Sequence, residues 1–237
     1  MSCEIIVRYA RNEDLQQRME LVRNGLSTYF WDAFIYFFFQ ELTLECCVLS
    51  GAVLFIFLGV SLPACLALLP AAAALVALAV VCTHHALAHK QAQSIRKEMF
   101  GLVAEVKGRL LMTPGTDPIL ISIQLNQDKD TSFSQVMGTV SVSDFWGPEN
   151  NGWLHAMVVH PQWRGRGAGR ALAGAARRAA AARGLAALGA AASALQGAAR
   201  AALLAAGWRC LGAHERPLLG AALALPVLRL TLDLPQP

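Results

Sequence analysis

The sequence predicts an α/β protein whose first helix is followed by a membrane-embedded helical hairpin, after which the α/β pattern resumes. Three observations carry this reading. An apolar, β-type run from Trp153 to Val159 feeds a glycine-rich turn that opens into an alanine-rich helix. A β-branched segment and an amphipathic helix stand at the N-terminus, over residues 4–27. No Asp, Glu, Lys or Arg occurs between Cys46 and Thr83.

Composition bounds the rest. The chain has 237 residues, enough for one large domain or one domain with an appendage. Its apolar share of 55% exceeds the ~45–50% of ordinary soluble proteins, and the excess sits in the uncharged run. The net charge of +4 suits an anionic ligand or an anionic membrane surface and does not call for nucleic acid. Six cysteines, Cys3, Cys46, Cys47, Cys65, Cys82 and Cys210, form no Cys-x-x-Cys pair, so neither disulfides nor zinc are expected. Cys46 and Cys47 stand at a membrane edge, where palmitoylation competes with burial in a helix.

Taken in order, Glu4 to Tyr9 reads as a strand and Asn12 as the N-cap of a helix with Leu15, Met19, Val22 and Leu26 on one face. Gly25 and Ser27 lie near its end. Residues 28–45 concentrate aromatics, from Tyr29 to Phe39, as at a membrane interface. As one helix, the uncharged run of residues 46–83 would reach about 57 Å, against about 30 Å of hydrocarbon. Ser61-Leu62-Pro63 divides it, so the expected spans are residues 46–62 and 63–83, folded as a hairpin or re-entrant loop. His84, His85, His89, Lys90, Arg96 and Lys97 form a basic flank, which favours the cytoplasmic side. His85 and His89 stand four apart on a helix, but they read as interfacial histidines and no metal site is expected.

Residues 91–111 read as a helix with Met99, Leu102, Val103, Val106 and Leu110 on one face, stopped by Thr113-Pro114-Gly115. Residues 118–125 and 135–142 read as an antiparallel hairpin. Trp146 to Gly152 is a turn before the next strand. After the glycine turn come a helix over residues 171–183, a strand over 185–192, a helix from Ser193 to Gly207, and strands over 208–211 and 225–234.

The chemistry is concentrated at Val158-Val159-His160-Pro161-Gln162-Trp163-Arg164-Gly165-Arg166-Gly167-Ala168-Gly169-Arg170. A strand, a glycine loop and a helix start together make an anion site, because glycines let the backbone approach and the first-turn N–H groups point outward. Arg164, Arg166 and Arg170 add positive potential. The spacing is neither a Walker loop nor a dinucleotide fingerprint. An RNA-binding Arg-Gly tract would not be framed by an apolar strand and an apolar helix.

The pattern Arg164-Gly165-Arg166-Gly167-Ala168-Gly169, with Val159-His160-Pro161 before it and Gly207-Trp208 beyond, resembles the acetyl-CoA loop of the GNAT N-acetyltransferases. With the uncharged run after the first helix, the chain resembles their camello-type, or family-8, branch of the endoplasmic reticulum membrane. The resemblance implies a GNAT fold, a mixed and mainly antiparallel sheet flanked by helices. It assigns residues 1–30 and 90–237 to the acetyltransferase domain and 31–89 to the membrane insertion. It implies acetyl-CoA as donor, an amine-bearing small molecule or protein lysine as acceptor, and direct transfer. The donor would be held by Met157, Val158, Val159, Arg164, Gly165, Arg166, Gly167, Ala168, Gly169 and Arg170, with backbone N–H groups near Met157 to Val159 polarising the acetyl carbonyl. His155 is the titratable side chain placed as base or relay, and His160 orders the turn.

The resemblance also implies that both flanks of the insertion lie on one membrane face, with the catalytic domain cytosolic. One departure stands out. The family often carries a proton-donating tyrosine four residues before the glycine of the Gly-Phe pair, and here Leu203 occupies that position. The expected alternative to an active enzyme is therefore a catalytically weak or silent acetyl-CoA-binding membrane scaffold.

Overall fold

A computed structural model describes residues 4–107, 120–125, 135–145, 150–219 and 223–235. In chain order it begins with strand β1 (Glu4–Tyr9), a 3₁₀ turn at Asn12–Asp14, and helix α1 (Leu15–Ser27). Aromatic helix α2 (Phe30–Phe38), α3 (Glu41–Leu58), the short α4 (Leu62–Cys65) and α5 (Leu68–Ser94) follow. Then come β2 (Phe100–Lys107), β3 (Leu120–Ile123), β4 (Gln135–Asp144) and β5 (Asn151–Val159). The chain closes with α6 (Ala168–Ala181), β6 (Ala187–Ser193), α7 (Gly197–Ala205), β7 (Arg209–Leu219) and β8 (Leu223–Asp233).

The strands form one eight-stranded sheet in the order β3-β1-β2-β4-β5-β6-β8-β7. Only β1–β3 and β5–β6 pair in parallel, and the other neighbours are antiparallel. One face packs on α6, through Leu172, Ala173, Ala176 and Ala180 against Leu102, Val140, Leu154 and Leu188. Alanines suffice on this helix because its backbone lies close to the sheet. The other face packs on α1 and α5, through Val22, Ala92, Ile95 and Ala156. The N-terminal strand and helix are thus part of the same sheet as the glycine loop.

Two expectations are corrected here. Residues 91–111 are not one helix: α5 ends at Ser94 and Phe100 begins a strand. Phe100, Leu102, Ala104 and Val106 alternate into the α6 core, and a period of two on β-branched neighbours overrides the three-and-four spacing that also fits them. Nor do the segments around β3 and β4 form a hairpin. β3 adds in parallel to β1, and β4 pairs with β2 and β5. The expected stop at Thr113-Pro114-Gly115, and the connection over residues 126–134, lie outside the described residues, as does most of the turn that begins at Trp146.

The uncharged run forms two helices, shifted from the expected bounds. α3 starts at Glu41 and ends where Gly59 takes φ +63°, a left-handed cap that glycine adopts without strain. Pro63 sits in the first turn of α4, where its missing N–H costs nothing. α5 continues past Thr83 to Ser94, and its last turns pack on α1 and β5. α3 has no buried residue, and Phe57 is 78% exposed. Its 18 residues span about 27 Å, close to a hydrocarbon thickness of about 30 Å. Two segments, Glu41–Leu58 and Leu62–Lys97, are long and apolar enough to cross a membrane by length and composition.

Behind α1 lies a polar anchor that composition does not announce. Arg18 is 2% exposed and donates to both Glu98 carboxylate oxygens at 2.6 Å, to Thr139 Oγ1 at 2.8 Å and to Ser141 Oγ at 2.9 Å. Nearby, the Arg8 guanidinium bridges Asp14 and Glu105 at 2.7 and 2.5 Å. Buried charges persist only when paired and hydrogen-bonded in this way. Arg18 thereby fastens α1 to β4 and to the chain after α5.

Candidate active site at the splayed strands

The site forms where β5 parts from β6. Their parallel pairing runs from Asn151 with Ala187 to Leu154 with Ala190 and then stops. β6 stays with β8 up to Ser193, whereas β5 stays with β4 up to Val159. The parting begins at a bulge, where the β4–β5 register shifts between Thr139 and Ser141 and Ala156 takes φ +49°. The His160 N–H donates to the Met137 carbonyl on β4 at 2.7 Å. By alternation, the N–H groups of Met157 and Val159 face the opening.

The glycine turn closes the end of that opening. Pro161–Trp163 is a 3₁₀ turn, with Trp163 buried. Gly165 at φ +75° and Gly167 at φ +86° take conformations that L side chains resist, and a Cβ on Gly167 would also press Ile121 at 3.3 Å. Gly167 caps α6, and its carbonyl accepts from the Ala171 N–H at 3.0 Å. The N–H groups of Ala168, Gly169 and Arg170 therefore have no partner within the helix.

These parts line a cleft of about 410 Å³. Met157, Val158, Val159, Arg164, Gly165, Gly167, Gly169 and Arg170 border it. Arg166 and Ala168 are different. The Arg166 guanidinium lies over Trp163, 5.3 Å from the ring centroid, and Ala168 is buried in the α6 core. Neither residue lines the cleft. Arg164 is held from two sides: its Nε donates to the Val159 carbonyl at 3.1 Å, and the guanidinium lies over the Tyr29 ring at 5.5 Å.

The opposite wall is built by residues that the sequence did not single out individually for the site. Gly25, Leu26 and Tyr29 come from the end of α1, and Gln91 from α5. Gly25 does not end α1. A Cβ there would meet Val158 Cγ1 at 2.4 Å, so glycine is what lets the helix touch β5 at the cleft. From α7 the wall is Ala198, Ala199, Ala201, Ala202 and Ala205, preceded by Gln196.

Two expected catalytic positions fall outside. Leu203 is 3% exposed and belongs to the core that packs on α6, so it faces away from the cleft. An alanine-rich helix shows no apolar stripe from which its facing could be read. His155 does not border the cleft either: Leu154 faces the α6 core, so the next residue along the strand falls on the α1 and α5 side of the sheet. There the Ser94 hydroxyl donates to the Gln91 carbonyl at 2.7 Å and meets His155 Nδ1 at 3.2 Å. Burial pushes the His155 pKa down, with Glu98 raising it and Arg18 lowering it further. His160 ties the turn as expected, its carbonyl accepting from the Trp163 N–H at 2.8 Å. Among the described residues no group of three or more His, Cys, Asp or Glu is placed to hold a metal.

Residues 114–208 match the family model described as Acetyltransferase (GNAT) family. Two solved structures overlay nearly the whole chain. One is assigned as a phosphinothricin N-acetyltransferase, at 12% identity and TM-score 0.51, covering 98% of this chain and 99% of that one. The other is yncA of Salmonella typhimurium, assigned as an acetyltransferase and solved with its cofactor acetyl-CoA, at 13% identity and TM-score 0.50, covering 98% and 95%. A protein of Acinetobacter baylyi ADP1, assigned as an acetyltransferase, matches at 17% identity and TM-score 0.39, and there this chain covers 59% of that chain, with 44% of its own length aligned. No curated protein matches. The fold is the GNAT fold, an α/β sheet flanked by helices, and the two long apolar helices are compatible with an insertion in it.

Proposed function

We propose that this chain is a membrane-bound GNAT acetyltransferase of the camello-type branch, which transfers the acetyl group of acetyl-CoA to a primary amine by direct attack. One observation carries the reading: the glycine loop, the start of α6 and the unpaired edge of β5 open on a single cleft. The N–H groups of Ala168, Gly169 and Arg170 are placed to bind the pyrophosphate, aided by Arg164 and Arg170. Those of Met157 and Val159 are placed to polarise the acetyl carbonyl. The amine enters between Tyr29, Gln91 and this edge, and must be neutral to attack. Its nitrogen bonds to the carbonyl carbon, the carbon–sulfur bond breaks, the amine loses a proton and the thiolate gains one.

The acceptor is an amine-bearing small molecule or a protein lysine. α3 and α5 hold the enzyme in the endoplasmic reticulum bilayer, with the domain formed by residues 1–30 and 90–237 on the cytosolic side and residues 31–89 as the insertion. The basic residues after residue 83 and the return of α5 to the domain support one-sided flanks.

A second reading rests on the alanine face of α7, which offers no proton. Among the described lining residues Tyr29 carries the one side-chain hydroxyl. A positioned acid is worth about 10²–10⁴-fold, so slow turnover, or binding alone, follows if none is supplied. Release of free thiol from acetyl-CoA over a panel of amines, with the full chain in detergent, tests both. Amine-dependent release supports the enzyme. Acetyl-CoA binding without release for any amine supports the scaffold.

A further inference from the structure

A second pocket, of about 650 Å³, opens on the far side of the α1 terminus, between α1, the start of α2 and the middle of α5. Its polar lining is Arg23, Asn24, His84, His85 and His89, with Ser27 beside them. No carboxylate lines it. The Ser27 hydroxyl donates to the Asn24 carbonyl at 2.7 Å and is committed there. His84 Nδ1 is closed off from solvent and has no hydrogen-bond partner. Arg23 forms no ion pair among the described residues. A lining of donors without an acid, holding an unpartnered imidazole nitrogen, is built for an anion.

Its position identifies the source of that anion. Val81 and Phe30 form the apolar part of the lining. Val81 lies in the last turn of the uncharged run, and the three histidines and Lys90 follow at once. α2 stacks Phe30, Phe34 and Phe38 alongside, with Trp31 and Phe39 exposed. Aromatics and cations at the end of an apolar helix mark headgroup depth, where basic pockets between helices bind lipid phosphates.

We infer that the pocket formed by Arg23, Asn24, His84, His85 and His89 binds the phosphate of an anionic phospholipid headgroup. It rests on the bilayer reading above, and the two fail separately. Extraction of the chain from membranes by alkaline carbonate refutes the bilayer, whereas loss of headgroup discrimination refutes the pocket. The test is binding of fluorescent phosphatidic acid to the full chain in dodecyl maltoside micelles. Unlabelled phosphatidic acid displaces the probe, phosphatidylcholine does not, and inorganic phosphate competes only weakly. Arg23→Gln combined with His84→Gln lowers affinity about tenfold or more, while retained acetyl-CoA binding shows that the variant is folded. Equal displacement by phosphatidylcholine, or unchanged affinity in the folded variant, overturns the inference. Equal displacement by inorganic phosphate overturns the lipid as its source.

Discussion

The Arg164 guanidinium lies over the Tyr29 ring, 5.5 Å from its centroid. This contact joins the glycine loop, remote in sequence, to the point where α1 hands over to the aromatic helix. It leaves Arg164 facing the cleft while its Nε is spent on the Val159 carbonyl. The ring therefore positions a cation at the cleft. Tyr29→Ala should weaken acetyl-CoA binding by about 2–5-fold, the value of a partly exposed cation–π contact. Tyr29→Phe should leave binding unchanged, because the ring remains. Calorimetry on the two variants reads the difference, and turnover of Tyr29→Phe then reports on the hydroxyl alone.

Leu203 is buried in the α6 core, so a tyrosine at this position would not reach the cleft. Leu203→Tyr adds a ring and a hydroxyl to a filled space. It should cost about 1–3 kcal/mol of stability and should not raise turnover. A melting curve in detergent, beside a thiol-release assay, checks both halves. Faster turnover at unchanged melting temperature would show that position 203 reaches the cleft.

Burial lowers the His155 pKa below the ordinary value of about 6.5 and so favours the neutral imidazole in the folded chain. The unfolded chain binds the extra proton first, so stability contributed by neutral His155 is full above pH ~6.5 and is lost as pH falls through the folded value. The melting temperature in detergent should decline on acidification across this range, and His155→Gln should flatten that decline. Asp14, whose carboxyl is also buried but is held low by Arg8 and the Arg11 N–H, acts in a separate window, below the ordinary carboxylate value of about 3.9. Acetyl-CoA affinity of His155→Gln should match wild type, because the residue lies outside the cleft.

β1 sits between β2 and β3, so the N-terminus belongs to the sheet that carries the glycine loop. If α3 and α5 cross a bilayer, they do so as an out-and-back pair. Tags placed before residue 1 and after residue 237 should share protease protection in sealed microsomes. Opposite protection would mean that β1 cannot pair as described.

The parts of the site that were legible are those where residue type dictates backbone. Gly165, Gly167 and Gly169 between an apolar strand and a helix leave few alternatives, and an uncharged run broken by Pro63 must turn. Other parts hid for physical reasons. Arg18 reads as a surface cation until its partners, Glu98, Thr139 and Ser141, are brought together by the fold. Phe100 to Val106 satisfies helical and strand spacing alike. β3 finds its parallel partner β1 on the other side of the apolar helices in sequence, which no local pattern encodes. Gly25 lies near the end of α1 as read, but its contact with Val158 is long-range and no local pattern shows it. The facing of α7 was unreadable because alanines lie on both of its sides.

The most direct measurement is calorimetric titration of acetyl-CoA into the full chain in detergent, beside its Gly167→Glu and Gly169→Ala variants. A Cβ on Gly169 makes ordinary contacts of 3.5 Å with Ala202 and Met157, so Gly169→Ala should bind within a few-fold of wild type. Gly167→Glu puts a strained, charged side chain at the α6 cap and should abolish saturable binding. Equal acetyl-CoA affinity in wild type and Gly167→Glu, with both folded, would contradict the assignment of this cleft to the donor.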